Sequence, residues 1–160
     1  MDNNKEILTV GKVIEYNRII KAIVDNASDV NALVKFRLLG MCKQFEPIVA
    51  NFEIIREEKI KQYGTTKENG NIGIFMPVKT DFENDEDYDK AMKEFEDTVD
   101  KLNAELDEIL KSDSELKLIK FKYTDIIDAG LPSDYLLAIY DLIEEWFGGR
   151  NKWDNRKKYQ

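Results

Sequence analysis

Histidine is absent from the 160-residue chain, and cysteine occurs once, as Cys42. Without histidine the chain cannot build a Ser-His-Asp or Cys-His catalytic centre, or a histidine-ligated metal site. One cysteine cannot form an intramolecular disulfide or a thiolate zinc site. No glycine loop with the lysine and spacing of a phosphate-binding motif is present either. The sequence therefore predicts a protein that is not an enzyme and needs no cofactor or metal.

Long apolar runs and an N-terminal targeting pattern are also missing. No stretch approaches the ~18 apolar residues that a membrane span needs. The opening MDNNKEIL lacks the basic and apolar regions of a signal peptide. The lone cysteine favours a reducing compartment. We expect a cytoplasmic protein with no membrane partner.

Charge is distributed unevenly, and acidic residues outnumber basic residues outside the C-terminus. The net charge is −8, yet residues 148–160 contain five basic residues and one acidic residue. An acidic body opposes nonspecific nucleic-acid binding, so we expect no direct nucleic-acid partner. Gly148 and Gly149 precede this basic segment, and we expect 150–160 to be a flexible tail that either folds back on the body or reaches an acidic partner. The candidate partner-binding residues in the tail are Arg150, Lys152, Trp153, Arg156 and Lys157.

Two helices are predicted in the first part of the chain. The first spans about 10–24, with Thr9 as its N-cap. The second spans about 30–63 and ends at Gly64; Pro47 predicts a kink or a restart near 43–46. The apolar stripe of the first helix contains Val13, Tyr16, Ile20 and Ile23. The second has a heptad pattern formed by Val34, Leu38, Met41, Phe45, Ile48, Phe52 and Ile55.

A third helix is predicted at about 88–110 and repeats the heptad pattern. Its apolar positions are Tyr88, Met92, Phe95, Val99, Leu102, Leu106 and Ile109. Two apolar seams of similar length joined by a loop of about 20 residues predict an antiparallel helical hairpin over about 30–110. We expect Phe52 to lie near the start of the second seam, and the exposed helix faces permit a homo-oligomer.

Shorter elements complete the predicted fold. The alternation of Ile72, Ile74 and Met76 predicts a strand within 72–78, pairing with a second strand at 116–123. A last helix is predicted at about 134–146, with Ser133 as its N-cap. The fold class is therefore mainly α: a coiled-coil-like hairpin with a two-stranded β element and flanking N- and C-terminal helices. We predict one helical domain over 1–149, followed by the tail.

The acidic run from Asp81 to Asp89 resembles a calcium loop only superficially. An EF-hand loop that starts at Asp81 needs glycine at its sixth position and glutamate at its twelfth, where this chain has Glu86 and Met92. Carboxylates are favourable at the N-terminus of a helix, so we interpret the run as a solvated helix start. Asp85 and Asp87 are candidate partner-binding residues.

Three segments together resemble a small family of siphophage proteins from Gram-positive bacteria that has no assigned function. The segments are LTVGKVIEYNRIIKAI, NALVKFRLLGMCKQFEPIVANFEIIREEKIKQYG and AGLPSDYLLAIYDLIEE. The resemblance covers about 7–145. It implies a phage origin, often near tail genes, and no active-site residues. The hairpin is also similar in architecture to prefoldin, which carries no implication for function.

Two functions remain open at this point. The first is a phage accessory protein that binds one protein in the host cytoplasm: a phage structural protein during tail or virion assembly, or a host defence protein that it inhibits. The second is a binding protein for a small molecule such as a nucleotide signal. It would need a polar pocket, for example one lined by Lys120, Tyr123 and Tyr135.

Overall fold

The computed structural model describes residues 8–26, 29–126 and 128–144. The chain is mainly helical, which confirms the predicted fold class of a helical hairpin with a small antiparallel β element. The elements in chain order are α1 (Val10–Asn26), α2 (Ala32–Tyr63), β1 (Thr65–Thr66), β2 (Ile72–Gly73), a 3-10 turn (Lys79–Asp81), α3 (Asp85–Lys111), α4 (Tyr123–Ile126), α5 (Ser133–Ala138) and a second 3-10 turn (Tyr140–Leu142).

The described residues cluster into two compact units. The first unit combines 8–14 with 46–115, and the second combines 15–45 with 116–144. Both α1 and α2 therefore contribute to each unit. The single domain over 1–149 stays a prediction. The predicted tail at 150–160 lies outside the described residues.

Helix α1 begins as the sequence predicts. The backbone N–H of Lys12 donates to the Thr9 hydroxyl at 3.3 Å, so Thr9 caps the first turn. All four residues of the predicted apolar stripe are buried, which confirms the helical period of the segment. In the first unit the backbone of α1 comes close to the end of α3: Val10 N–H donates to the Ser112 carbonyl at 3.0 Å.

Helix α2 continues without interruption through Pro47, so the predicted restart at 43–46 is wrong. Proline removes one backbone donor, but Pro47 lies on the exposed side of the helix, where water can satisfy the freed carbonyl. The buried seam residues Phe45 and Phe52 on either side hold the helix in place. The helix ends at Tyr63, and Gly64 N–H donates to the Ile60 carbonyl at 2.7 Å.

The β element is local, and the predicted pairing of 72–78 with 116–123 is wrong. Strand β1 pairs with β2 in antiparallel register, with Thr65 opposite Gly73 and Thr66 opposite Ile72. Gly70 adopts a φ of 81°, which glycine tolerates, and closes the turn. A turn this short costs little loop entropy, whereas pairing with 116–123 would close a much longer loop. In that segment Phe121 forms only an isolated bridge, to Ile143.

Three contacts set the register of α2 against α3. Lys59 approaches Glu105 at 2.7 Å, and the Lys101 ammonium lies 5.2 Å from the centre of the Tyr63 ring. The Tyr63 hydroxyl also donates to Glu105. These pairs confirm the antiparallel hairpin. They show that the expected position of Phe52 near the start of the α3 seam is wrong, because the end of α2 lies beside 101–105.

The C-terminal helix is shorter than predicted. Helix α5 ends at Ala138, and a 3-10 turn follows at Tyr140–Leu142. The N-cap position is Pro132, not Ser133. Backbone bonds to Phe121 explain the early end, because Phe121 N–H donates to the Leu142 carbonyl and Phe121 accepts from Glu144 N–H. These backbone hydrogen bonds to Phe121 replace the helical hydrogen bonds that the apolar pattern of 134–146 predicts. Residues 145 and 146 of that predicted helix lie outside the described residues.

One buried polar side chain interrupts the apolar stripe of α1. Asn17 is 6% exposed, and its carbonyl oxygen Oδ1 has no hydrogen-bond partner among the residues that the structure describes. An unsatisfied buried acceptor costs about 1–3 kcal/mol. We expect Asn17→Leu to raise the free energy of unfolding by about 1 kcal/mol, measured by urea denaturation. Asn51→Leu, at an exposed position of α2, is the control and should change little. A loss of stability in Asn17→Leu would contradict this account.

Candidate protein-interaction surfaces

The structure describes two of the seven predicted partner-binding residues. Asp85 and Asp87 lie in the first turn of α3 and are exposed. The five tail residues lie outside the described residues: Arg150, Lys152, Trp153, Arg156 and Lys157. The predicted helix start at the acidic run is confirmed, since α3 begins at Asp85.

The start of α3 is fixed by its N-cap. The Asn84 side chain accepts from Asp87 N–H at 2.9 Å and donates to the Asp87 carboxylate at 2.9 Å. Lys79 forms an ion pair with Asp85 at 2.9 Å. Between Ile72 and Asp89 the chain has six acidic residues and one lysine. The surface at the N-terminus of α3 is therefore strongly negative, and the helix dipole stabilises carboxylates there.

An exposed apolar segment precedes these carboxylates directly. Met76 is 62% exposed, and Val78 is 55% exposed. The Phe75 ring lies under the Lys67 ammonium, 4.0 Å from the ring centre. We define the acidic edge as residues 72–89, which contain both parts. Its exposed large apolar side chains are Ile72, Phe75, Met76 and Val78. The sequence does not predict this apolar part, because the alternation of Ile72, Ile74 and Met76 is also typical of a short strand.

A cluster of charged and phenolic groups joins α2 to α3. The hydrogen bond to the Glu105 carboxylate raises the pKa of the Lys59 ammonium, and the hydrogen bond to Glu105 raises the pKa of the Tyr63 phenol. The pKa of Glu105 is lowered by its hydrogen bonds from Lys59 and then from Tyr63. Each group is thus held in the protonation state it has at neutral pH. Proton transfer needs a group whose pKa lies near the working pH, so this cluster fits a link between helices.

The second unit contains an open cleft of about 280 Å³. Arg37 forms an ion pair with Asp125 at 3.1 Å within it, and Asp128 adds a second carboxylate. The lining residues are Asn31, Leu33, Val34, Arg37, Thr124, Asp125, Asp128 and Ala129. The residues named for the predicted nucleotide pocket, Lys120, Tyr123 and Tyr135, are not among them. Asp125 neutralises Arg37, and Asp128 leaves the lining with a net negative charge, which is unfavourable for the phosphate of a nucleotide.

Helix α2 carries a second apolar surface on the side away from its buried seam. Phe36 is 73% exposed, Leu33 is 55% exposed and Leu39 is 46% exposed. Beyond its chain neighbours and the backbone of its own helix, a Cβ placed on Gly40 would meet no atom of the described residues within 4 Å. We define these residues, together with the exposed Lys43, as the outer face of α2. The heptad pattern does not predict this surface, because the pattern marks only the stripe through Val34 and Leu38.

Two observations bear on other kinds of site. Within residues 8–26, 29–126 and 128–144, no group of three or more acidic or cysteine side chains is arranged to hold a metal ion. Cys42 is buried in α2, which fits a packing role.

The described helices were also compared with the length and apolarity that crossing a bilayer demands, and none of them meets both.

The two apolar surfaces, the acidic edge and the outer face of α2, are thus the features of the described chain that suit a function in binding. The chain matches no protein-family model, no curated protein and no solved structure.

Proposed function

We propose that the chain is a non-enzymatic bacteriophage accessory protein that binds another protein through its acidic edge. One observation carries the proposal: large apolar side chains are exposed directly beside a dense set of carboxylates. Met76 and Val78 are more than half exposed, and six acidic residues lie between Ile72 and Asp89. Exposed apolar patches with polar rims are typical of protein-binding surfaces.

The chemistry of the acidic edge defines the partner that fits it. Burial of Met76 and Val78 would stabilise a complex through the hydrophobic effect, at about 25 cal/mol per Å² of apolar surface. The carboxylates around Asp85 favour cationic groups and speed association with a positively charged partner. A basic amphipathic segment satisfies both requirements. Such a segment can belong to a phage structural protein or to a nucleic-acid-binding host defence protein, which are the two versions of the proposal.

The first test uses a defined probe. A fluorescein-labelled amphipathic peptide, with one Leu-rich and one Lys-rich helix face, is titrated with the full chain. The fluorescence anisotropy of the peptide gives the Kd. We expect Met76→Ser combined with Val78→Ser to weaken binding at least about tenfold, because both apolar contacts are lost. Adding salt should weaken wild-type binding as well, because charge attraction is screened.

A matched control distinguishes binding at the acidic edge from nonspecific binding of the peptide to exposed apolar side chains. Ile54→Ser removes an exposed apolar side chain from α2 in the same unit and should leave the Kd unchanged. Equal affinities for the wild type and the Met76/Val78 double variant would overturn the acidic edge as the binding surface. The wild type and the Met76/Val78 double variant are then each used to capture proteins from phage-infected cells. A protein that only the wild type captures is identified as a phage protein or a host protein.

A further inference from the structure

The acidic edge begins with a strand that has a partner on one side only. Among the described residues the sheet has two strands, and β2 pairs with β1 alone. We propose that a basic segment of the partner protein binds beside 72–76 as an extended strand and adds a third strand to this sheet. This inference rests on the proposed function, because it assigns the conformation of the segment that the acidic edge binds.

The register of β1 and β2 shows which backbone groups face the free edge of β2. Lys67 N–H donates to the Asn71 carbonyl at 2.9 Å, so the backbone of Asn71 faces β1. Successive residues of a strand turn their backbone groups to opposite edges. Ile72 and Ile74 therefore turn their N–H and C=O groups away from β1. Ile74 makes no backbone hydrogen bond within the described part of the chain.

The segment after β2 retains the features of an edge strand as far as Pro77. Phe75 and Met76 also make no backbone hydrogen bond to another described residue. Proline has no N–H, so the edge that can pair ends at Met76. Val78 has extended backbone angles, with a φ of −107° and a ψ of 127°. Unpaired strand edges of this kind are the surfaces to which extended peptides add.

The apolar side chains of this segment lie on one face. Residues two apart in a strand point to the same face, so Ile72, Ile74 and Met76 share it. Ile72 is 46% exposed and Met76 is 62% exposed. An added strand with an apolar residue at every second position would extend this face, and apolar pairs across neighbouring strands stabilise a sheet.

The charge of the acidic edge favours a basic strand as the occupant. The edge contains six acidic residues and one lysine, and this Lys79 is paired with Asp85. The turn between β1 and β2 adds Lys67 and Glu68, whose charges cancel. Pairing of this edge with the same edge of a second copy would bring like charges together, which is unfavourable. A segment that alternates apolar and basic residues fits both the apolar face and the carboxylates.

Two fluorescein-labelled peptides of identical Leu and Lys composition test the proposal with the full chain. In the first peptide Leu and Lys alternate, which suits a strand, and in the second they have the spacing of an amphipathic helix. Fluorescence anisotropy gives the Kd of each complex. We expect the alternating peptide to bind at least about tenfold more tightly, because it adds backbone hydrogen bonds to similar side-chain contacts.

Two variants of Ile74 distinguish backbone pairing from side-chain contact. Ile74→Pro removes the N–H that faces the free edge, whereas Ile74→Val retains it. The preference for the alternating peptide should disappear in Ile74→Pro and persist in Ile74→Val. Amide hydrogen exchange of the wild type, followed by nuclear magnetic resonance, needs no variant. The alternating peptide should slow exchange at Ile74 more than at Phe75, whose N–H faces the opposite edge.

Three results would overturn strand addition. They are equal affinities of the wild type for the two peptides, a preference that persists in Ile74→Pro, and exchange at Ile74 that is not slowed in the complex. These results are distinct from failure of the proposed function, which requires only that binding depends on Met76 and Val78. A chain that binds both peptides equally through those two side chains retains the proposed function and excludes the added strand.

Discussion

Phe45→Ala is expected to lower the free energy of unfolding by about 3–5 kcal/mol. The Phe45 side chain is fully buried in the seam of α2, beside Leu38 and Met41. Truncation removes the whole ring and leaves a cavity that close-packed neighbours fill only in part. Urea denaturation followed by far-ultraviolet circular dichroism measures the change, from the midpoint and slope of the transition.

Phe36 provides a matched control for this prediction, because it is the same residue type in the same helix and unit. Its side chain is 73% exposed, so Phe36→Ala should change the free energy of unfolding little. Similar losses at both positions would mean that the two sides of α2 are assigned wrongly. If Phe45→Ala fails to fold, the milder Phe45→Leu, with a smaller expected loss, keeps the comparison measurable.

The helices with one clear apolar stripe were predictable because burial and helical period act on the same residues. In α1, Val13, Tyr16, Ile20 and Ile23 repeat every three or four residues, and all are buried. The start at Thr9 was predictable as well, since a hydroxyl at that position satisfies a free N–H of the first turn. Both signals depend only on neighbours along the chain.

The register of the hairpin could not be predicted in the same way. Two heptad seams of equal length fit together at several offsets with similar apolar burial. The observed offset is marked by Glu105, which accepts from Tyr63 and pairs with Lys59. The chain has 32 acidic residues, and nothing in the sequence singles out Glu105 before the fold is known. The same reason applies to Phe121, whose bridge to Ile143 ends the last helical segment.

Of the candidate surfaces, only the charged residues could be predicted from the sequence. Asp85 and Asp87 were found because a carboxylate run at a helix start is visible in the sequence. The exposure of the apolar part of the acidic edge was not predictable, because Ile72, Ile74 and Met76 occupy every second position, as apolar residues do in a half-buried strand. The outer face was missed because α2 is apolar on two sides around Phe36. A sequence cannot show which of two stripes is buried without the position of the neighbouring helices.

Leu102→Ala tests the register of the hairpin through stability. Leu102 is 9% exposed in α3, close to the Lys101 and Glu105 contacts with the end of α2. Removing its isobutyl group should cost about 2–4 kcal/mol, because a cavity remains between the packed elements. Urea denaturation gives the value.

The discriminating comparison is Phe95→Ala. Phe95 is a larger residue at an equivalent position of the same seam, but it is only half-buried and lies two turns before Leu102, away from the contacts that join α2 to α3. With the observed register, Phe95→Ala should therefore cost less than Leu102→Ala, although it removes more atoms. A register with Phe52 beside the start of the seam would place Phe95 within the packed part of the hairpin. A larger loss at Phe95 than at Leu102 would thus favour that register and contradict the structure.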